Sequence, residues 1–238
     1  MNFVWQGIQD AWQLLVDGDP YLMNLLEVTL KVCIVSTLTA AVIGLPIGLL
    51  LGLARFRGRG LALTVANAGL GLPPVIVGVM LFVVALPQGP LGELHLVFTL
   101  KGVYVAQTIL ALPVIVALTA AAVRDISEGL ISQARAYGAR RHRIALLALR
   151  EARVGVIAAL IAAVGAGLSE VGAVAIIGGN LPFATQTLAS AALEEVNAGR
   201  YSWAIAIGIL LLGLILLISA VLTVLQYAGA RNRVPRHA

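Results

Sequence analysis

A short stretch rich in small polar residues and glycines holds the first candidates for ligand contact. Ser169 and Glu170 open this stretch, Gly178-Gly179-Asn180 follows, and Gln186 closes it. A tetrahedral oxyanion can accept hydrogen bonds from hydroxyl groups, from amides and from consecutive backbone N–H groups. The same Gly-Gly-Asn sequence is equally typical of a plain turn. Both interpretations stay open, and we keep all these residues as candidates for contact with a ligand.

Glu170 needs a separate explanation, because an ionisable group at the end of an apolar run is costly and usually paired. Its carboxylate would repel a dianion. We therefore expect a helix-end role or an ion pair with Lys31 or Lys101 rather than direct contact with an anion. These two lysines and Arg200 could also attract an anion, although snorkelling to the interface is the simpler interpretation for the lysines.

A second group of candidates interrupts an otherwise apolar run. Asn67 is followed by Gly69, Gly71 and the pair Pro73 and Pro74. Proline removes a backbone donor and strains the preceding turn, and glycine weakens a helix further. A broken membrane helix is tolerated where it is buried or lines a wet cavity, although a simple kink fits equally well. Asn67, Pro73 and Pro74 are therefore candidates for lining a path.

The third group lies in a long basic segment, residues 124–153, which exceeds a simple turn between membrane helices. Its Ala, Gln, Arg and Leu residues favour helix. Gly138 can end one short helix before a second begins near Arg141 and leads into the next span. The sequence thus predicts a helix-turn-helix. Its arginines either contact an acidic or phosphate-bearing partner or fix the orientation of the spans by contact with anionic lipid head groups.

Arrangements of residues that support catalysis are not visible in the sequence. There is no Gly-rich loop with Lys and Ser or Thr for ATP, and the three histidines, His95, His142 and His237, are far apart in the sequence. The single cysteine, Cys33, is expected to be a small buried hydrophobe. We expect no catalytic, cofactor-binding or metal site. If the chain takes part in active transport, the energy must come from a partner or an ion gradient.

Composition indicates the solvent that surrounds these residues. Hydrophobic residues make up 60% of the 238 residues and charged residues only 11%, against about 25% charged in a soluble domain. Most of the surface must therefore face lipid. The formal net charge is +5, but the basic residues sit between apolar runs, so we expect no nucleic-acid partner. The acidic, Lys- and Arg-free start of the chain predicts no cleaved signal.

Five apolar runs are expected to cross the bilayer, and each must be helical because lipid offers no partner for backbone polar groups. The fourth is short, and we expect it to start near Arg153 and end near Glu170, with residues 171–177 at the outer interface or re-entering. The predicted spans are Thr29–Leu53, Leu61–Leu86, Gly102–Val123, Arg153–Glu170 and Tyr201–Ala230.

The basic residues predict the orientation of these spans. Of the 16 Lys and Arg residues, all but Lys31, Lys101 and Arg200 lie in three segments: residues 55–59, 124–153 and 231–238. By the positive-inside rule the three segments are cytoplasmic and the amino terminus is outside. We therefore divide the chain into an extracytoplasmic segment, 1–20, a single transmembrane domain, 21–230, and a basic cytoplasmic tail, 231–238.

The segment around Gly138 resembles the cytoplasmic coupling loop of ABC importer permeases, whose motif reads Glu-Ala-Ala, three residues, then Gly. Ala134 matches the second Ala and Gly138 the Gly. Ser132 and Gln133 replace the Glu and the first Ala, and Arg150-Glu151 stands where the family has Leu-Pro. By this resemblance the residues that dock on the ATPase are Ala134, Tyr137, Gly138, Ala139, Arg140 and Arg141.

A second resemblance covers Gly167 to Leu188. Ser169-Glu-Val-Gly-Ala-Val174, then Gly178-Gly-Asn180 and Thr185-Gln-Thr187, is similar to a segment of the sulfate and molybdate permeases and is closest to their tungstate branch. The resemblance implies an all-α membrane fold like that of the MetI and molybdate permeases. It also implies a homodimer, ATPase subunits that bind ATP and Mg, and an extracytoplasmic protein that delivers tungstate.

Within the same family, molybdate or sulfate permeases have the same features. Two other classes of protein also compete with this interpretation. An ion-coupled secondary transporter would be expected to show internal repeats and ionisable residues near the bilayer midplane, neither of which is evident. A membrane scaffold would leave the broken second run unexplained.

Overall fold

The computed structural model describes residues 2–231, and all regular secondary structure over that range is helical. A short 3-10 turn, Gly92–Leu94, interrupts one loop. The α-helices are α1 Asn2–Asp17, α2 Pro20–Leu53, α3 Arg59–Gly69, α4 Pro74–Val84, α5 Leu100–Arg124, α6 Glu128–Ala136, α7 Arg141–Glu151, α8 Arg153–Ser169, α9 Gly172–Gly178, α10 Leu188–Asn197 and α11 Tyr201–Arg231.

Five membrane spans can be assembled from these helices. Within the described residues, α2, α5 and α11 are long and apolar enough to cross alone. The pairs α3–α4 and α7–α8 pass the same test only when each pair counts as one bent span. The expectation of about five spans in an all-α membrane protein is thus confirmed at the level of the fold. Arg233 and Arg236 of the predicted tail lie outside the described residues.

The second predicted span is the one that differs most from a straight helix. The run from Leu61 to Leu86 forms α3 and α4, whose axes are bent by 101°. Pro73 has an extended backbone (φ −67°, ψ 117°), as expected for a residue that precedes proline. Pro74 then occupies the first turn of α4, where its missing N–H costs nothing. The sequence predicted a break or kink here, and the structure shows a right-angled break.

The fourth predicted span has the expected limits, since α8 covers Arg153–Ser169. Helix α7 precedes it at an angle of 70°. The following apolar residues form α9, whose Val174 and Ile177 are buried in a core cluster with α4 and α5.

The first span begins earlier than predicted. Helix α2 starts at Pro20 rather than Thr29, because the Asp19 carboxylate accepts a hydrogen bond from the Leu22 N–H at 2.9 Å and proline suits the first helical position. The segment before it, expected only to be extracytoplasmic, contains α1, which packs on α11 with Gly7 against Ile205.

Helices α2 and α5 form the most extensive helix pair, and a glycine stripe on α2 (Gly44, Gly48 and Gly52) explains how close they are. A Cβ on Gly48 would lie 2.7 Å from the Thr119 Cβ, and one on Gly52 would lie 2.5 Å from a methyl carbon of Val123. Small residues every fourth position let membrane helices approach at backbone distance. This contact was not identified from the sequence, although the spacing was visible there.

Candidate transport path and coupling helices

The predicted helix-turn-helix is formed by α6 and α7, which are joined at Gly138. The Ala139 N–H donates to the Ala134 carbonyl at 3.0 Å, and the Gly138 N–H donates to the Arg135 carbonyl at 2.9 Å. This pair of bonds ends a helix with a left-handed residue after its last turn, and Gly138 has φ +78°. The predicted role of Gly138 in ending the first helix is confirmed.

The hairpin of α6 and α7 is anchored on one side and open on the other. Ile131 and Ile144 are buried in a cluster with Val123 of α5. Tyr137, at the turn, is 90% exposed. Arg140 and Arg141 are exposed, and Ala134 and Ala139 are half-buried beside them. The six predicted docking residues therefore form one surface around the turn, held in place by the apolar anchor.

An ion pair also links this hairpin to the α2–α3 loop. The Arg55 Nη2 lies 2.6 Å from the Glu128 Oε1, and both side chains are largely exposed. Exposed pairs of this kind contribute little to stability, so the apolar anchor must hold the hairpin.

A cleft of about 110 Å³ lies where α3 breaks from α4. We call it the break cleft; its lining includes Gly69, Pro74, Gln107, Gly167 and Glu170. A space of this volume holds several water molecules. Gln107 of α5 is 3% exposed, and its Nε2 has no hydrogen-bond partner among the described residues. Sequence reasoning missed it, although it is a lone amide in the uncharged run of the third span.

The predicted path residues divide between this cleft and other positions. Pro74 and Glu170 line the break cleft. Asn67 and Pro73 are exposed on the same bent pair of helices. Ser169 is exposed as well, and its Oγ donates to the Gly165 carbonyl at 2.9 Å.

Glu170 occupies the end of a helix. Its Oε1 accepts a hydrogen bond from the Ala173 N–H at 3.1 Å, in the first turn of α9. Among the described residues it forms no salt bridge, because Lys31 pairs with Glu27 one turn earlier in α2 and Lys101 is exposed without an ion pair. The predicted ion pair of Glu170 is therefore wrong, and the alternative helix-end role is the one the structure shows.

The remaining predicted path residues form a second polar cluster around α10. Gly179 (φ +72°) and Asn180 (φ +50°) make a turn. Gln186 is 1% exposed; its Oε1 accepts from the Tyr21 hydroxyl at 2.8 Å, and its Nε2 donates to Glu194. The Asn180 Nδ2 donates to the same carboxylate oxygen at 2.7 Å. In this conformation the amide of Gln186 is bound within the protein.

Neighbouring groups complete that cluster. The Thr185 hydroxyl donates to the Gly178 carbonyl at 2.6 Å. Arg200 binds the buried carboxylate of Glu195, with Nη2 to Oε1 at 2.9 Å. This hydrogen bond and the charge of Glu195 raise the pKa of the Arg200 guanidinium. Arg200 is thus committed to an ion pair in this conformation.

The arrangement of the helices is similar to that of a solved membrane protein structure. The chain matches a chain of the MetNI methionine ABC transporter in an inward-facing conformation, with a TM-score of 0.73 and 24% identity, over 88% of this chain and 96% of that one. At this identity the likeness shows the fold alone.

The family follows from the sequence comparison. Residues 44–231 match the family described as "Binding-protein-dependent transport system inner membrane component". The chain belongs to this family and is therefore a multi-pass membrane permease subunit of such a transport system.

Within the described residues no group of His, Cys, Asp or Glu could hold a metal ion.

Two curated relatives share nearly the whole length of the chain. The "Probable anion ABC transporter permease protein" of Haloferax volcanii is 40% identical over 90% of this chain and 91% of its own. The "Tungstate uptake system permease protein TupB" of Peptoclostridium acidaminophilum is 29% identical over 95% of this chain and 99% of its own.

Proposed function

We propose that this chain is the permease of an ABC importer that moves an oxyanion, tungstate, across the cytoplasmic membrane. ATP is bound with Mg and hydrolysed by partner ATPase subunits. The observation that carries the proposal is the anchored hairpin of α6 and α7, which presents Tyr137 at a turn fixed by Gly138. A rigid, exposed turn of this kind suits docking into a groove of another protein.

The proposed assembly contains two copies of the chain, two ATPase subunits and an extracytoplasmic substrate-binding protein. The amino terminus lies outside and the carboxyl terminus in the cytoplasm. This orientation is supported by the basic residues, which are grouped in segments 55–59, 124–153 and 231–238. It puts the hairpin on the side of the membrane where ATP is available.

The choice of tungstate rests on the names of the relatives and on the residues around Ser169 and Gly178. Molybdate has the same charge and nearly the same size, so we assign the discrimination between them to the delivering protein. Sulfate is the third substrate to compare. The permease has only to pass a tetrahedral dianion once it has been delivered.

The test is import and ATP hydrolysis by the complex reconstituted in vesicles with its ATPase and binding protein. We expect tungstate to stimulate hydrolysis and to accumulate. Gly138→Val should abolish the stimulation, because a β-branched residue at positive φ distorts the turn. Gly129→Val is the matched control, since Gly129 lies in the same hairpin with open space around its Cβ position.

Each part of the proposal can fail separately. If no ATPase associates and no oxyanion is imported, the importer assignment is wrong. If molybdate or sulfate is imported in preference to tungstate, only the substrate is wrong. If Gly138→Val retains full stimulation, the hairpin is not the coupling element.

A further inference from the structure

Gln107 presents an unusual problem of hydrogen bonding. Its side chain is 3% exposed, yet its Nε2 has no partner among the described residues. A buried amide donor without an acceptor is costly, and such groups in native proteins call for a specific explanation. Gln107 is one of the residues that line the break cleft, so the cleft is the space from which a partner could approach its side chain.

The depth of Gln107 makes the problem sharper. It lies about 10 Å along α5 from Leu100, at 1.5 Å per residue. The break between α3 and α4 lines the same cleft through Gly69 and Pro74. Non-helical backbone at membrane depth is tolerated only where it is buried or faces a water-filled cavity. The break and the unpaired amide therefore point to one polar space inside the membrane domain.

The chemistry of the unpaired atom limits its partner to a hydrogen-bond acceptor, which water or an anion can supply. The Gln107 Nε2 can only donate, so its partner must accept. One carboxylate oxygen of Glu170 already accepts from the Ala173 N–H. A cation would offer nothing to a free amide donor, whereas a tetrahedral oxyanion offers several acceptor oxygens.

We propose that the break cleft is a hydrated segment of the anion path in which the Gln107 amide donates a hydrogen bond to the passing oxyanion. This inference rests on the proposed function. The negative charge of Glu170, on the same cleft, keeps the contact short-lived. That suits a path, because a site in a path must bind strongly enough to be entered and weakly enough to be left.

The first test is Gln107→Leu in the reconstituted complex, with tungstate import, ATP hydrolysis and thermal unfolding measured together. We expect import to fall about tenfold for a lost charge-assisted hydrogen bond. The unfolding temperature should stay the same or rise, because the variant removes an unsatisfied amide. ATPase stimulation by the binding protein should remain.

Thr119→Val is the matched control. The Thr119 Oγ1 is also buried and unpaired on α5, but Thr119 does not line the break cleft. We expect its import rate to equal that of the wild type. Gln107→Glu should reduce import more than Gln107→Leu, because it puts a second carboxylate in the cleft.

A second measurement asks what fills the cleft. The variant is Ala166→Cys in a Cys33→Ala background, because Ala166 lines the cleft. In the assembled complex this cysteine should react with a membrane-impermeant thiol reagent. Tungstate, added with its binding protein, should slow the reaction. Cysteine at Val42, on the exposed face of α2 outside the cleft, should react slowly with or without the anion.

The outcomes separate this inference from the proposed function. If wild-type complex imports no oxyanion, the proposed function fails first. If the wild type imports and Gln107→Leu imports equally, the inference is wrong and the function stands. If Gln107→Leu fails to assemble or unfolds at a lower temperature, Gln107 has a structural role and the inference is wrong. Labelling at position 166 that tungstate does not slow would show that the cleft holds water only.

Discussion

Single glycines determine how closely the membrane helices approach. In the glycine stripe of α2, a side chain of α5 occupies the space that each missing Cβ would fill. Lipid is as apolar as a leucine side chain, so close packing rather than a hydrophobic driving force holds such helices together. The stability of the α2–α5 pair should therefore depend on these positions more than on the apolar residues around them.

We predict that Gly48→Val lowers the free energy of unfolding by about 1–3 kcal/mol, the usual effect of overpacking. The added Cβ would lie 2.7 Å from the Thr119 Cβ and 3.0 Å from the Val116 carbonyl oxygen. Thermal unfolding in detergent measures the effect. Gly213→Val on α11, where nothing lies within 4 Å, should unfold as the wild type does; equal unfolding temperatures for the two variants would contradict the prediction.

At the scale of elements, α10 is tied to α2 by a hydrogen bond between distant parts of the chain. The Thr29 Oγ1 donates to the Leu25 carbonyl at 2.6 Å and accepts from the Leu188 N–H at 2.9 Å. That N–H belongs to the first turn of α10, where a helix has no internal acceptor. One hydroxyl oxygen of α2 thus satisfies this N–H of α10, beside the apolar contact of Leu22 and Leu25 with Leu188.

We predict that Thr29→Val destabilises the protein by about 1–3 kcal/mol, because it leaves the buried Leu188 N–H without an acceptor. Thr39→Val is the matched control: its Oγ1 makes the same bond to the carbonyl four residues earlier but faces outward. Thermal unfolding should separate the two variants. If both behave as the wild type, the bond to Leu188 contributes nothing measurable.

Element limits could be predicted where a local signal exists. Uncharged runs marked the spans, Gly138 marked the turn and Arg153 marked the start of α8. The faces of the helices could not be predicted, because a helix that is apolar all round carries no periodicity to show which side packs. Gln186 forms hydrogen bonds with Tyr21 and Glu194. Tyr21 is far from it in the sequence, and only the fold brings these two side chains together.

At the scale of the whole molecule, the orientation in the membrane governs every other assignment. The hairpin of α6 and α7 can meet an ATPase only from the cytoplasm. The contact between Arg55 and Glu128 shows that the hairpin and the α2–α3 loop lie on the same side. The loop between α4 and α5 belongs to the opposite side if each bent pair is one span.

We predict that, in a Cys33→Ala background, Gln88→Cys is labelled by an impermeant maleimide in intact cells and Ser132→Cys only after the cells are permeabilised. Both positions are exposed, so accessibility to the reagent rather than burial decides the result. The positive-inside distribution of arginines is the physical reason. Labelling of Ser132→Cys in intact cells would reverse the proposed topology.

The right angle between α3 and α4 has a mechanical meaning. Helix α3 is fixed at its start, where the Arg59 guanidinium donates to the Leu51 carbonyl at 2.7 Å, and α4 is keyed to α9 through Gly78, whose Cβ position is 2.8 Å from the Ala173 Cα. With axes 101° apart, the two helices have separate supports, α3 on the end of α2 and α4 on α9. Because no continuous helix joins them, a displacement at one support is not carried rigidly to the other, and the break is the point at which this span can bend.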